Sequence, residues 1–311
     1  FNGKSYQGYE GDTLASALLA NGVHLVGRSF KYHRPRGFFG AGVDEHNAKM
    51  QVVINGHSEP NINATEIELV DGLSATSQNC WPSVEFDIGA INNFLKRFFP
   101  AGFYYKTFMW PKSFWYKVYE PFIRKAAGLG VASLEKDKER YEHKFEYCDL
   151  LVTGSGPSGL ASAYAAAKNG AKVILAEDKP RYGGTLLTDD VSIDNMSGKD
   201  WSEKIISELK KMPNVTLKNR SQVFGYYDHN MMVMFERVGD HLSNKSKYTP
   251  RQRLWYIRAK ETILSTGSIE RPIVFGNNDT PGVVLSSAAK EYMKVYGVLV
   301  GRKPIIFTNN D

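Results

Sequence analysis

The sequence predicts an α/β protein of about two domains, from three observations. In the second half of the chain, short apolar strands alternate with helical segments, as in a sheet covered by helices. A glycine-rich turn joins the first of those strands to a helix. The first 80 of the 311 residues have the pattern of a separate, smaller α+β module.

The glycine-rich turn directly follows a short apolar strand. Its glycines, Gly154, Gly156 and Gly159, have the G-x-G-x-x-G spacing of a dinucleotide site. The first lets the strand turn sharply, the second lets the main chain approach a pyrophosphate, and the third lets the helix pack closely on the strand. A helix that begins near Ser158 adds free N–H groups for the phosphates. The turn therefore predicts a Rossmann-like dinucleotide-binding domain.

An acidic pair ends the second strand of this domain. A helix over residues 160–169 leads to the apolar strand 172–176, and Glu177 and Asp178 follow. A carboxylate in this place can accept both hydroxyls of an adenine ribose, and it repels a 2′-phosphate. Glu177 therefore favours NAD, FAD or another adenosine ligand over NADP, although the nearby Lys179 weakens that preference.

Two loops of small residues are expected beside the ligand. Gly184 and Thr185 follow the second strand, where a loop can approach the ligand and offer a hydroxyl. Thr266 and Gly267 form a turn that can lie beside the adenosine half. Between the loops the pattern predicts a helix over 201–212, strands over 215–217 and 222–224, a hairpin of 231–236 with 254–258, and a further strand from 261.

Residues 1–80 predict a β-grasp module. The expected elements are a hairpin over 1–9, a helix over 13–20 capped by Asp12, and strands over 50–54 and 66–70. The nucleotide-binding domain is expected over residues 146–311. A strand predicted over 303–308 is followed at once by the last residues, so this domain is expected to be incomplete at its carboxyl end.

Residues 81–145 predict a helical connector rich in aromatic side chains. Prolines and lysines interrupt it, so a membrane span of ~20 apolar residues is not expected. Two interpretations stay open: packing across the domains of this chain, and a subunit interface, since aromatic residues are enriched in interface cores. The aromatic residues are Phe94, Phe98, Phe99, Phe103, Tyr104, Tyr105, Phe108, Trp110, Phe114, Trp115, Tyr116, Tyr119 and Phe122.

Composition narrows the partners and the compartment. The net charge of +6 is modest and no long basic run is present, so nucleic-acid binding is not expected. Cys80 and Cys148 lie too far apart in sequence for a disulfide framework or a metal-ligand spacing. A reducing compartment, the cytoplasm, fits this cysteine usage best.

As an ordered set, the motifs resemble the family of heterotetrameric sarcosine oxidase alpha subunits. The set comprises the β-grasp module, the connector, and the segments G-S-G-P-S-G, E-D-K-P-R-Y-G-G-T, S-T-G-S-I-E-R-P and F-G-N-N-D-T-P-G-V. The resemblance covers essentially the whole chain. Related amine dehydrogenase and opine oxidase subunits share most of these motifs and remain an alternative.

The resemblance implies a complex of alpha, beta, gamma and delta subunits. Such a complex demethylates sarcosine to glycine, reduces O2 to hydrogen peroxide and passes the one-carbon unit to tetrahydrofolate. It implies FAD and FMN on or beside the beta subunit, folate binding in a carboxy-terminal part outside this chain, and NAD in this chain. The implied NAD contacts are Ser158, Glu177, Asp178, Lys179, Thr185 and Val223.

The amino-terminal module is expected to lack an iron–sulfur cluster. Relatives that carry a [2Fe–2S] cluster place cysteines in the loop that in this chain spans residues 39–47, and this loop has none. A cluster needs four thiolates or close substitutes, which Asp44, His46 and Asn47 do not supply. No metal site and no catalytic residue are predicted. A self-contained flavoenzyme resembling disulfide reductases and a scaffold with an empty nucleotide site are the competing hypotheses.

Overall fold

The computed structural model describes residues 1–54, 56–99, 102 and 108–309. It divides the chain into two compact units: residues 1–136 with 270–311 form the first unit, and residues 137–269 form the second. This division differs from the predicted domain limits, because residues 270–311 group with the amino-terminal part. The predicted connector residues Phe103, Tyr104 and Tyr105 lie outside the described residues.

Helices and strands occur in both units of the chain. The helices are α1 (Leu14–Ala20), α2 (Ile91–Phe94), α3 (Glu120–Ala126), α4 (Pro157–Lys168), α5 (Gly198–Lys211) and α6 (Ser286–Tyr296). The strands are β1 (Gly27–Arg28), β2 (Pro35–Arg36), β3 (Lys49–Ile54), β4 (His57–Asn63), β5 (Ser74–Ser77), β6 (Tyr141–Thr153), β7 (Val173–Ala176), β8 (Ser192–Ile193), β9 (Met196–Ser197), β10 (Val215–Lys218), β11 (Ser221–Tyr227), β12 (Met231–Arg237) and β13 (Gln252–Leu264). Short 3₁₀ turns span Ile88–Ala90, Lys96–Phe98, Gly184–Leu187 and Asp228–Asn230, and a π-helical turn spans Trp115–Tyr119.

The second unit is built on a mixed sheet of six strands in the order β10-β7-β6-β13-β12-β11. β6 pairs in parallel with β7 and β13, and β12 pairs antiparallel with β11 and β13. The chain passes from β6 through α4 to β7, and from β7 through α5 to β10. The predicted α/β fold is confirmed, with α4 and α5 as its crossover helices.

Side chains that alternate along the strands of this sheet pack into two apolar clusters. Leu150 and Val152 of β6 pack in one cluster with Leu160 of α4 and Ile205 of α5. Leu151, between them in sequence, faces a second cluster formed by residues of β7, β12 and β13. Because side chains alternate across a strand, one short apolar run supplies both clusters. The end of β6 is thereby held from two sides, next to the glycine turn.

The first unit contains a three-stranded antiparallel sheet in the order β4-β3-β5 within the described residues. Thr13 caps α1 in a capping box with Ser16: each side chain accepts the other's main-chain N–H, at 3.1 and 2.9 Å. Leu18 of α1 and Met50 of β3 share one core cluster with Tyr292 of α6. A helix distant in sequence therefore completes the core of the amino-terminal part.

Several predicted elements differ in the structure. Residues 1–9, all of them described, contain turns and no strand. Thr13, not Asp12, is the cap of α1, and the Asp12 carboxylate instead accepts the Ser16 hydroxyl at 2.8 Å. The strand predicted over 66–70 is reduced to an isolated bridge at Glu68, and the polar strand β4 pairs with β3 in its place. Apolar content alone predicts the wrong strand here, because the polar strand β4 is stabilised by its main-chain pairing with β3.

Strand limits also depend on pairing. β6 begins at Tyr141, inside the predicted connector, because it pairs with β13 from its first residue. β13 is continuous from Gln252 to Leu264, so the strands predicted over 254–258 and from 261 are one strand. Residues 303–308, where the sequence predicted a strand, form none in the described part of the chain. No helix among the described residues is both long and apolar enough to cross a membrane.

Candidate dinucleotide site

The glycine turn between β6 and α4 is shaped by close main-chain contacts. Gly154 has a φ of +95°, and a Cβ atom built on it would lie 2.2 Å from the carbonyl oxygen of Ser265. A Cβ atom on Gly159 would lie 2.0 Å from the carbonyl oxygen of Gly154. Both positions therefore need glycine for the turn to keep this shape without strain, as the sequence predicted.

Gly156 differs from the other two glycines. It precedes α4 with an ordinary φ of −67°, and a Cβ atom built on it would meet no described atom within 4 Å. Among the described residues, no side chain caps the first turn of α4, on which Ser158 is exposed. The space beside Gly156 therefore lies next to free N–H groups and the positive end of the helix dipole, which together suit an anion such as a pyrophosphate.

The double-glycine loop lies directly against this turn. Gly183 and Gly184 have φ values of +127° and +54°, and a Cβ atom on Gly184 would lie 3.0 Å from the Cα of Gly156. Gly184 begins the 3₁₀ turn in which Thr185 is exposed. Two loops separate in sequence thus approach each other closely through the main chain of Gly156 and Gly184, and the exposed Thr185 lies beside them.

Glu177 joins the end of β7 to the glycine turn. Its side chain is buried, with the residue 6% exposed. Oε2 accepts the main-chain N–H of Ser155 at 2.9 Å and the Ser155 hydroxyl at 2.5 Å, and Oε1 accepts the N–H of Lys179 at 3.1 Å. The Ser155 hydroxyl in turn accepts the N–H of Gly183 at 3.1 Å. Ser155 therefore connects the acidic strand end with both loops.

Sequence reasoning missed Ser155. It occupies a variable position of the G-x-G-x-x-G motif, so the spacing carries no information about it. The available signal is chemical: a serine between two glycines can donate to a carboxylate and accept from a main-chain N–H at the same time. Ser155 is completely buried, and the hydrogen bonds to Glu177 and Gly183 satisfy its hydroxyl.

The surroundings of Glu177 change its acidity. Burial is the main cause that raises the pKa of this carboxyl to about 7, and the hydrogen bond with the Asp178 carboxyl acts in the same direction. The hydrogen bonds from Ser155 and Lys179 act in the opposite direction. The carboxyl therefore changes charge near neutral pH, and ligand groups that donate to it favour its ionised form.

The remaining predicted site residues lie on elements next to the turn. The main-chain N–H of Ser221, at the start of β11, donates to the carbonyl of Glu177 at 2.7 Å, and the half-buried Val223 follows two residues later. Thr266 and Gly267 are exposed and directly follow Ser265, whose carbonyl borders Gly154. The structure thus brings the carboxyl ends of β6, β7 and β13 to one edge.

Comparison with known proteins finds relatives that match the whole length of this chain. Over 100% of its length, the chain is 53% identical to the sarcosine oxidase alpha subunit of Rhizobium meliloti (strain 1021) and 34% identical to that of Corynebacterium sp. (strain U-96). This chain is a homologue of sarcosine oxidase alpha subunits. It spans 32% and 28% of the length of those two relatives, and corresponds to the amino-terminal part of their sequence.

Two family models match parts of this chain. Residues 1–80 match a 2Fe-2S iron-sulfur cluster binding domain, and residues 149–235 match the FAD dependent oxidoreductases. An opine oxidase subunit of Agrobacterium tumefaciens (strain Ach5) is 27% identical over 52% of the chain and 33% of its own length. The L-proline dehydrogenase structure from P. horikoshii superposes with a TM-score of 0.62 at 22% identity, over 96% of this chain and 46% of that chain, and so shows the fold.

The residues of the first unit do not fit the cluster that its family model names. A [2Fe–2S] cluster is held by four cysteine thiolates, or by two when two histidines replace the others. Cys80 is the sole cysteine in residues 1–80. In the described part of the chain, no group of three or more His, Cys, Asp and Glu side chains is placed to hold a metal ion. The donor set required for a cluster is therefore not assembled by these residues.

Proposed function

We propose that the second unit binds a dinucleotide, NAD, in an amine-oxidising oxidoreductase built from several different subunits. The observation that carries the proposal is the open space at Gly156, next to an uncapped helix start and linked through Ser155 to the buried Glu177. The homology to sarcosine oxidase alpha subunits supports sarcosine as the substrate. Because those relatives are subunits, it also supports an assembly with partner chains.

Each part of the site has a role in holding NAD. Gly156 and Gly184 border the pyrophosphate, while the first turn of α4, with Ser158, donates N–H groups to it. Glu177 accepts the adenosine ribose hydroxyls in exchange for the Ser155 hydroxyl. The remaining contacts come from side chains and main chain around the adenosine half and the loops: Asp178, Lys179, Thr185, Val223, Thr266 and Gly267.

We assign no catalytic residue to this chain. When bound, NAD supplies a nicotinamide ring able to accept a hydride, whereas the chain's own residues bind and orient the nucleotide. In the proposed complex, FAD and FMN at the beta subunit would supply the chemistry of amine oxidation and O2 reduction. A carboxy-terminal part of the full alpha chain would bind tetrahydrofolate, and gamma and delta subunits would complete the complex.

FAD in the second unit is the alternative, favoured by the match of residues 149–235 to FAD dependent oxidoreductases. FAD and NAD share an ADP half, so the glycine turn and Glu177 suit both. A flavoenzyme of the disulfide-reductase type is disfavoured. It would need a redox-active cysteine pair after the turn, while Cys148 precedes the turn and burial raises the pKa of its thiol to about 12.

The full-length subunit, purified and then denatured, tests the proposal through the small molecules that it releases. We expect close to one NAD per chain, identified by chromatography and mass spectrometry. Release of FAD without NAD from a chain separated from its partners would select the alternative. Release of no dinucleotide would contradict the proposal and favour an empty scaffold.

A further inference from the structure

The loop of residues 39–48 in the first unit folds around the carboxylate of Glu45. This residue is 2% exposed. Its Oε2 accepts the main-chain N–H of Phe39 at 2.6 Å and of Gly40 at 2.9 Å, and its Oε1 accepts the N–H of Asn47 at 2.5 Å and of Ala48 at 3.0 Å. Four main-chain donors from both ends of the loop therefore converge on one buried carboxylate.

Neighbouring contacts hold the loop in this shape. The Asp44 carboxylate accepts the N–H of Gly42 at 3.0 Å, and a Cβ atom on Gly40 would lie 2.7 Å from that same carboxylate. The Tyr292 hydroxyl, from α6, donates to the carbonyl of Gly40 at 2.9 Å. The Thr65 hydroxyl donates to the carbonyl of Gly42 at 2.8 Å. These contacts fix the loop from outside, while Glu45 fills its centre.

Convergent main-chain N–H groups form a concave site for anions. Such donors are costly to bury without partners, and an ionised carboxylate is tolerated in a protein interior when several hydrogen bonds satisfy it. In this loop, Glu45 is the acceptor that the buried main-chain donors need, and those donors form the hydrogen bonds that a buried carboxylate needs. Without Glu45, the four donors would be left around a cavity of the size of a small carboxylate.

We propose that residues 39–48 form an anion-binding nest that the chain fills with its own carboxylate, Glu45, and that this keeps the module folded without an iron–sulfur cluster. A cluster with thiolate ligands is an anionic group that can accept hydrogen bonds at its sulfurs. In this module a glutamate supplies the buried negative charge, and the cysteines for a cluster are absent from residues 39–48. The nest lies in the first unit, whereas the candidate dinucleotide site lies in the second.

Chemical rescue tests the nest. In the full-length subunit, Glu45→Ala is expected to lower Tm by about 10 °C, because four buried donors lose their acceptor. Sodium formate should then raise the Tm of Glu45→Ala in a saturable way, by occupying the vacated nest, and should leave the wild-type Tm unchanged relative to sodium chloride. Glu10→Ala removes an exposed carboxylate from the same unit and should show neither effect.

Glu45→Gln keeps the test decisive if Glu45→Ala does not fold. This variant fills the nest but turns an amide NH2 toward two of the donors, so its Tm should fall and formate should not restore it. A wild-type Tm for Glu45→Gln, or an equal formate effect on all variants, would overturn the proposal. So would iron and sulfide that stay bound to the wild-type protein after anaerobic reconstitution, detected by absorbance and metal analysis.

Discussion

At the scale of single residues, the Glu177 oxygen that Ser155 occupies in the structure is the one that we propose for the adenosine ribose hydroxyls. This oxygen, Oε2, is bonded to the main chain and hydroxyl of Ser155. In the proposed complex the ribose hydroxyls replace the Ser155 hydroxyl, while the main-chain bond can remain. Burial raises the pKa of the carboxyl to about 7, so the exchange is coupled to the loss of a proton.

The affinity for NAD is therefore expected to rise with pH up to about 7. The folded pKa lies above the ordinary value of 4.5, so Glu177 contributes stability to the nucleotide-free protein below pH 4.5 that is lost as pH rises through about 7. Ribose hydroxyls donate to the ionised form, so affinity should fall about tenfold for each pH unit below 7. Calorimetric titration of the nucleotide-free protein between pH 5.5 and 8.5 measures this slope.

Two variants decide whether Glu177 causes that slope. Glu177→Gln should bind NAD at least about tenfold more weakly at pH 8 and with little pH dependence, since the charged acceptor is gone. Glu203→Gln alters an exposed carboxylate on α5 and should behave as the wild type. An unchanged slope in Glu177→Gln would show that another group titrates.

At the scale of elements, the turn between β6 and α4 contains glycines for two different reasons, close packing and the proposed access for a ligand. Gly154 and Gly159 are needed because their surroundings leave no room for a Cβ atom. Gly156 has that room, so the fold does not require glycine at this position, and we propose that the glycine serves the ligand instead. One motif would then contain both packing positions and a binding position, which its spacing does not distinguish.

A pair of alanine substitutions should separate these roles. Gly156→Ala is expected to change the free energy of unfolding by less than ~0.5 kcal/mol, yet to weaken dinucleotide binding at least about tenfold by blocking the pyrophosphate. Gly159→Ala should cost about 1–3 kcal/mol, because its Cβ atom meets the Gly154 carbonyl. Denaturant unfolding of the nucleotide-free protein and binding titration measure both. Gly276→Ala, in open space in the first unit, is the control.

Equal losses of stability in Gly156→Ala and Gly159→Ala would contradict this division. Full dinucleotide affinity in Gly156→Ala would also contradict it. The added Cβ atom should keep the pyrophosphate away from the main chain, so unchanged affinity would mean that the pyrophosphate does not bind at this position. Measuring stability without nucleotide is essential, since a bound ligand adds to the free energy of unfolding of the wild type.

At the scale of the whole molecule, residues distant in sequence complete the first unit. Tyr292 of α6 is 1% exposed and shares a core with α1 and β3. Asp279 pairs with Arg34 at 2.7 Å and also with Arg36, so charged groups join the same two segments. The amino-terminal sheet and the segment after residue 270 therefore form one folding unit.

Tyr292→Ala is expected to destabilise the first unit by about 3–5 kcal/mol, as for other large aromatic residues removed from a core. Hydrogen exchange followed by mass spectrometry should show faster exchange in α1 and β3, with β6 and β7 of the second unit unchanged. Met293→Ala, at a half-exposed neighbour on the same helix, should have little effect. Equal acceleration in both units would mean that the two units unfold together.

Local patterns were sufficient to predict part of the fold and to locate the residues of the candidate site. The strand, glycine turn, helix and strand from β6 to β7 were recognised because apolar runs and glycine spacing are properties of adjacent residues. Glu177 was found for the same reason, as it directly follows a short apolar strand. The polar strand β4 was missed because its ladder partners stabilise it and its composition does not.

The sequence by itself determined the α/β class, the glycine turn and the lack of cysteines in the loop of residues 39–48. Only the tertiary structure decided that Ser155 binds Glu177, that Glu45 fills that loop, and that α6 belongs with the amino-terminal sheet. The physical reason is common to all three. They depend on main-chain N–H groups and core contacts that only folding brings together, and main-chain donors have no signature in residue type.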